Sequence, residues 1–161
     1  MYIKREQYTV NILPNRSFEI LGEWKDDAHD LKTRIVFAYD TFSISSAEVR
    51  ADNIPFDICQ TGLNSIKNLI GVQLSPGFNK AVNERLTGEE GCMHLAELVS
   101  NSARALIQAL SREKPEWADP KEYYQVLTIW GNLYKNKCVY FAQPEFERQN
   151  PEEIQAYIKN K

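Results

Sequence analysis

The first half of the chain alternates apolar and polar residues, and this period is typical of half-buried β-strands. Tyr8, Val10 and Ile12 alternate with polar neighbours. The same alternation continues over residues 18–24 and 42–49, and residues 33–39 are rich in β-branched and aromatic residues. Turn or polar signals lie at 14–15, 25–30 and 40–41. Because the connections are short, the pattern predicts an antiparallel meander of three to four strands.

After this region the apolar period lengthens to that of α-helices. Three helices are predicted, over residues 63–70, from 75 to 86 and from 87 to about 113. Gly71 is placed to end the first helix, and Ser75 caps the second. Thr87 and Glu90 have capping-box spacing and are predicted to open the longest helix, which Pro115 cannot continue.

The last fifty residues carry a smaller set of elements. A helix is predicted from Asp119–Pro120, a short strand over residues 137–142 and a final helix from residue 150. Their aromatic residues indicate packing of this unit or, alternatively, an interaction surface. We therefore predict an α+β fold. Its core domain covers residues 1–112, and a small helical C-terminal extension over residues 113–161 packs on the core to give one domain overall.

Composition adds little to this outline. The chain has 161 residues, of which 43% are apolar and 25% charged, and this excludes collagen-like and disordered classes. A net charge of −3 gives no reason to expect nucleic acid or an anionic membrane as partner, so an unidentified protein is the expected partner. No signal-like apolar run opens the sequence and none is long enough to span a bilayer, which predicts a soluble, cytoplasmic protein with reduced cysteines.

Candidate chemistry lies at the junctions between predicted elements. His29 and Asp30 precede the third strand, Cys59 follows the fourth, and Cys92 lies in the first turns of the longest helix. Junctions at one end of a sheet can converge, and loops held by a rigid scaffold can aim side chains into a site. These four residues are the predicted metal ligands.

The residue types determine what such a site could hold. The positive end of a helix favours the thiolate of Cys92, and two Cys, one Asp and one His would fill a tetrahedral zinc shell. His94 is two residues from Cys92, so on a regular helix the two side chains point to nearly opposite sides. We therefore prefer His29 as the nitrogen ligand and expect His94 to contact the end of the sheet or to orient a neighbour.

Each candidate also has a simpler interpretation. The three cysteines, including Cys138, fit buried core positions. His29 and Asp30, like the acidic pair Asp26 and Asp27, fit solvated turns, and His94 fits a helix surface. Nothing in the sequence decides whether the protein is an enzyme. A non-catalytic interaction domain is the second hypothesis.

A thiol hydrolase is the third hypothesis, with His29 activating Cys59 or Cys92. No Gly-rich phosphate loop, C-x-x-C, H-E-x-x-H or nucleophile elbow is present to favour a specific enzyme class. A local signature for the hydrolase is missing as well.

The order of these motifs resembles an uncharacterised bacterial family, a domain of unknown function. The family pattern has a His-Asp pair before a strand, a Pro-aromatic-x-x-Cys step and a Gly-Cys-Thr-His-Leu helix start. Here residues 28–30 read Ala-His-Asp, residues 55–59 read Pro-Phe-Asp-Ile-Cys and residues 91–95 read Gly-Cys-Met-His-Leu. Met93 replaces the usual Thr. The resemblance covers about residues 8–142 and implies a layout, not an activity.

A fainter similarity is to iron–sulfur scaffold proteins of the IscU and NifU N-terminal type and to the related SufE fold. It implies Asp30, Cys59 and Cys92 as ligands. The first Cys of those scaffolds is absent here, and His29 or Ala28 lies near its position. With one thiolate fewer, zinc binding or persulfide relay fits better than assembly of an iron–sulfur cluster. The leading hypothesis is a metal- or sulfur-handling protein whose cofactor is zinc or an iron–sulfur cluster.

Overall fold

A computed structural model of the chain describes residues 1–137, 139, 141–143 and 156. In this part of the chain four strands form one sheet: β1 (Arg5–Leu13), β2 (Ser17–Lys25), β3 (Asp30–Ala38) and β4 (Ile44–Asn53). Each strand pairs antiparallel with the next, so the sheet order is β1-β2-β3-β4. The predicted meander and the α+β class are confirmed, with four strands.

The two faces of the sheet differ sharply in polarity, as alternation along β2 and β3 requires. One face carries the buried side chains of Phe18, Ile20, Trp24, Leu31, Ile35 and Phe37. The other face carries ion pairs between strands, such as Arg34 with Glu19 at 2.6 Å and Lys32 with Asp52 at 2.6 Å. The helices can therefore cover only the apolar face.

The helical elements are α1 (Cys59–Leu63), a 3-10 helix (Asn64–Leu69), α2 (Phe78–Leu86), α3 (Met93–Leu110) and α4 (Pro120–Tyr134). The segment predicted as one helix over residues 63–70 is thus two short pieces. Ile70 is the residue after the 3-10 helix and is 53% exposed. Gly71 follows with a φ of +82° and donates its N–H to Ile44.

The longest helix begins later than the capping-box spacing predicted. Thr87 instead ends α2, and its hydroxyl donates to the Asn83 carbonyl at 2.8 Å. Gly88 then takes a φ of +97°, a conformation that a helix cannot contain. Because α3 begins only at Met93, Cys92 is the residue immediately before the helix rather than part of its first turns.

A glycine in β2 lets α3 lie close to the sheet. A methyl group on Gly22 would come within 2.7 Å of Thr33 Oγ1 and 2.9 Å of Ser102 Oγ. Leu98 of α3 lies 3.4 Å from the same point. Two further contacts, Lys4 with Glu97 and Asn101 with Glu6, join α3 to the β1 region. The start of α3 is therefore held near the end of β2.

The chain divides into two compact units, residues 1–106 and 107–161, and the division falls within α3. In the second unit Asp119 accepts the N–H groups of Lys121 and Glu122, so the predicted start of α4 is confirmed. The Tyr123 hydroxyl donates to the Leu110 carbonyl. The predicted boundary at residue 112 and the single-domain organisation stay predictions.

Several predicted features lie wholly or partly outside the described residues. Among them are Cys138, part of the strand predicted over residues 137–142 and the start of the final helix at 150–153. Within the described residues, every helix is too short or too polar to cross a membrane. The cytoplasmic location stays a prediction.

Candidate functional site

The loop between β2 and β3 is built around the carboxylate of Asp26. This side chain is only 4% exposed, and it accepts the backbone N–H groups of Ala28 at 2.8 Å and His29 at 2.7 Å. Such bonds to the following residues form an Asx turn. The Trp24 indole donates to the same carboxylate at 2.8 Å and the Tyr2 hydroxyl at 3.0 Å. The prediction that Asp26 is a solvated turn residue is therefore wrong.

The hydrogen bonds keep Asp26 ionised. Burial alone would raise the pKa of its carboxyl, but the donors from Trp24, Ala28 and His29 outweigh burial and hold the pKa well below its usual range. An ionised carboxylate can only accept hydrogen bonds. His29 Nδ1, 3.0 Å from Asp26 Oδ1, therefore carries a proton. In the neutral tautomer that makes this hydrogen bond, the lone pair lies on Nε2.

A second histidine faces the first. The ring of His94, from the first turn of α3, has its centroid 4.1 Å from that of His29 and 5.2 Å from that of Trp24. Burial and the neighbouring His29 lower the pKa of His94, which favours its neutral form. Among the described residues, its ring has no hydrogen-bond partner. Our expectation that His94 contacts the end of the sheet agrees with this position.

Trp24 is fixed from several sides. The Lys4 ammonium lies 3.8 Å from the centroid of the Trp24 ring, in a cation–π contact. Lys4 is itself paired with Glu6 at 2.6 Å and Glu97 at 2.9 Å, and hydrogen bonds to these two carboxylates raise its pKa. The Trp24 ring is therefore held in a fixed position beside His94.

Asp30 faces away from the histidine pair. It is the first residue of β3, and the next residue, Leu31, is buried on the helix-covered face. Because successive side chains of a strand alternate, Asp30 belongs to the charged face. There its carboxylate lies 2.7 Å from Lys25 Nζ and 3.9 Å from Lys32 Nζ.

The two described cysteines lie on neighbouring elements. Cys59 is the first residue of α1 and Cys92 precedes α3, and both thiols are free and half-buried. A methyl group on Gly62 of α1 would be only 3.4 Å from Cys92 Cβ. The backbone of Cys92 is fixed because its N–H donates to the Leu86 carbonyl at 2.6 Å.

The four predicted ligands are thus distributed over more than one place. His29 lies against His94, Asp30 is bound by lysines, and the cysteines lie on α1 and before α3. Within the described part of the chain, no three His, Cys, Asp or Glu residues form a group that could hold a metal ion. As a binding set, the four residues stay a prediction.

Sequence reasoning missed the roles of Asp26 and His94, although both leave a signal. Asp26 lies two and three residues before the N–H groups it binds, which is the spacing of an Asx turn. His94 precedes Leu98 by four residues and Ser102 by eight, so it shares the helix face that Leu98 and Ser102 turn toward β2. The predicted start of the helix was too early, so the prediction did not place His94 on this face.

Comparison with known families gives one match. A family model described as "Protein of unknown function (DUF2889)" matches residues 15–108, more than half of the chain. The matched segment contains Asp26, both histidines and both described cysteines. No curated protein and no solved structure matches the chain. The predicted resemblance to an uncharacterised family is confirmed, and the resemblance to IscU, NifU and SufE stays a prediction.

Proposed function

We propose that this chain, which belongs to the DUF2889 family of proteins of unknown function, binds a divalent transition-metal ion through imidazole nitrogens of His29 and His94. Zinc is the ion we expect first. The observation that carries the proposal is the hydrogen bond from His29 Nδ1 to Asp26, with a second imidazole directly beside it.

An ionised carboxylate behind a histidine is the usual arrangement around a metal-binding imidazole. The ring donates one N–H to the carboxylate, and this fixes the orientation and the tautomer that present the other nitrogen to the metal. Asp26 provides this contact to His29 without being a ligand itself. The orientation of His29 is therefore set before any ion binds.

The state of His94 supports the same chemistry. A metal binds the neutral form of imidazole, and burial together with His29 favours that form in His94. Neutral imidazoles suit zinc, copper, nickel and iron, whereas magnesium and calcium prefer oxygen ligands. The donor set therefore favours a transition metal.

The distance between the two imidazole rings determines how far they must move to bind a metal ion. With Zn–N bonds of about 2.0–2.1 Å, two imidazoles on a tetrahedral ion have centroids roughly 5 Å apart. The rings of His29 and His94 are 4.1 Å apart, so we expect them to separate by roughly 1 Å on binding. Two protein ligands leave two positions of a tetrahedral ion for water or a substrate, one more than in catalytic zinc sites with three protein ligands.

Calorimetric titration of the full chain with ZnCl₂ at neutral pH tests the proposal. We expect one ion per chain. Changing either histidine, as His29→Gln or His94→Gln, should abolish detectable binding, and Asp26→Asn should weaken it about 10- to 100-fold through loss of orientation.

The matched control is the double variant Cys59→Ser/Cys92→Ser, which should keep the affinity of the natural chain. Undiminished zinc binding by both histidine variants would overturn the proposal. Loss of binding in the cysteine variant, with the His94 variant unaffected, would favour the ligand set that the sequence predicted.

A further inference from the structure

Helix α1 and the residues just before α3 are in direct contact. A methyl group on Gly62 would lie 2.6 Å from the carbonyl oxygen of Gly91, so only glycine permits the observed approach. The same point is 3.4 Å from Cys92 Cβ, an ordinary van der Waals distance. The backbone of α1 is therefore placed against Cys92.

Cys59 lies on the same face of α1 as Gly62. Residues three apart on a helix are neighbours, with Cβ atoms about 5–6 Å apart. Cys59 is therefore within one helical turn of the place where α1 meets Cys92. Both residues are half-buried, so neither belongs to the fully buried core.

The segment that carries Cys59 is weakly held. Helix α1 has five residues, and no side chain caps its N-terminus. Just before it, Phe56 and Ile58 are 69% and 74% exposed. Gly62 and Leu63 at the other end of α1 are buried. Segments with few buried side chains open at low cost in free energy, so the N-terminal end of α1, which carries Cys59, can shift toward Cys92. A disulfide needs Cβ atoms about 3.5–4.5 Å apart, and this shift would supply that approach.

Cys92 is the more firmly held of the two cysteines. It directly precedes α3, an 18-residue helix, and its N–H donates to the Leu86 carbonyl at 2.6 Å. Cys59, on the movable element, is positioned as the second, resolving thiol. Redox-sensitive cysteines often lie next to such a resolving cysteine.

We propose that Cys59 and Cys92 form a disulfide in response to hydrogen peroxide. The Cys92 thiolate attacks one peroxide oxygen, so an S–O bond forms, the O–O bond breaks and hydroxide leaves. The Cys59 thiolate then attacks the Cys92 sulfur, so the S–S bond forms and the S–O bond breaks. Hydroxide leaves again and is protonated to water. Two thiols are oxidised and one peroxide is reduced, independently of the metal site proposed above.

To test this proposal, hydrogen peroxide is added to the full chain carrying Cys138→Ser. We expect both remaining thiols to be lost together and non-reducing peptide mass spectrometry to show a Cys59–Cys92 link that dithiothreitol removes. With Cys59→Ser added, dimedone should trap a sulfenic acid on Cys92. Labelling of both cysteines by dimedone with no linked peptide, or linkage only between two chains, would overturn the proposal.

A glycine variant tests whether the contact between α1 and Cys92 controls the reaction. In Gly62→Ala the new methyl group must move α1 away from Gly91, so disulfide formation should slow about tenfold while alkylation of each thiol is unchanged. Gly77→Ala is the matched control, because its methyl group would meet only Ser75 Oγ, at 4.0 Å. An equal disulfide rate in both variants would contradict the proposed role of the contact.

Discussion

Asp26 connects the local structure of the β2–β3 loop to the chemistry of the site. One carboxylate accepts hydrogen bonds from two backbone N–H groups, the indole of Trp24 and the ring of His29. The same bonds that shape the loop therefore orient His29. At this position the stability of the fold and the proposed metal binding depend on the same hydrogen bonds, so a test of one needs a control for the other.

Replacing Asp26 should destabilise the fold. Asp26→Ala leaves the indole of Trp24 and the two backbone donors without their partner, and a buried unsatisfied donor costs about 1–3 kcal/mol. We expect a loss of at least about 2 kcal/mol in urea unfolding. The neighbouring Asp27 is exposed, so Asp27→Ala should change stability by less than about 0.5 kcal/mol. Equal losses in the two variants would contradict the role given to Asp26.

The contribution of Asp26 should depend on pH in a definite direction. Its folded-state pKa lies below the unfolded value of about 3.9, so the unfolded state binds the proton more readily. The stabilisation is therefore complete above about pH 5 and is lost as the pH falls toward the folded-state pKa. The difference in unfolding free energy between the natural chain and Asp26→Asn, measured from pH 7 to pH 2.5, should be constant at first and then shrink. A difference that grows on acidification would refute this account.

At the scale of elements, the close packing of α3 on β2 determines where His94 lies. Gly22 permits this packing because a side chain there would meet Thr33 and Ser102. The helix is also joined to the β1 region through Lys4 and Glu97. The position of His94 beside His29 is thus a consequence of helix–sheet packing rather than of the loop alone.

Gly22→Ala should move α3 away from β2. The added methyl group would approach within 2.7 Å of Thr33 Oγ1, and overpacking of this kind costs about 1–3 kcal/mol. Chemical denaturation should show that loss, and the variant should also bind zinc more weakly because His94 moves. Gly77→Ala should lose less, since its methyl group would have open space around it. Full stability of Gly22→Ala would contradict the packing described.

Much of the fold could be predicted from the sequence, because β2 and β3 have one apolar face and their alternation is clear. The start of α3 could not, since the capping-box spacing of Thr87 and Glu90 competes with a left-handed turn at Gly88. The candidate site was predicted in part. His29 was named as a ligand and His94 was not. The spacing of His94 with Leu98 and Ser102 indicates its helix face, but that this face meets the sheet beside His29 follows from the packing of α3, which the sequence does not show.

At the scale of the whole molecule, the first unit combines one charged sheet face with one apolar face covered by helices. The proposed metal site lies where β2 ends, β3 begins and α3 starts. The family match over residues 15–108 covers all three of these positions. Both proposed metal ligands therefore lie in the part of the chain that the family model matches.

The most direct test of this account is zinc K-edge X-ray absorption on the full chain loaded with one equivalent of zinc. We predict imidazole scattering with Zn–N distances of about 2.0–2.1 Å and no sulfur shell at about 2.3 Å. The histidine signal should disappear in His94→Gln and persist in Cys59→Ser/Cys92→Ser. A sulfur shell in the natural chain, or a spectrum of fully hydrated zinc, would contradict the proposed histidine site.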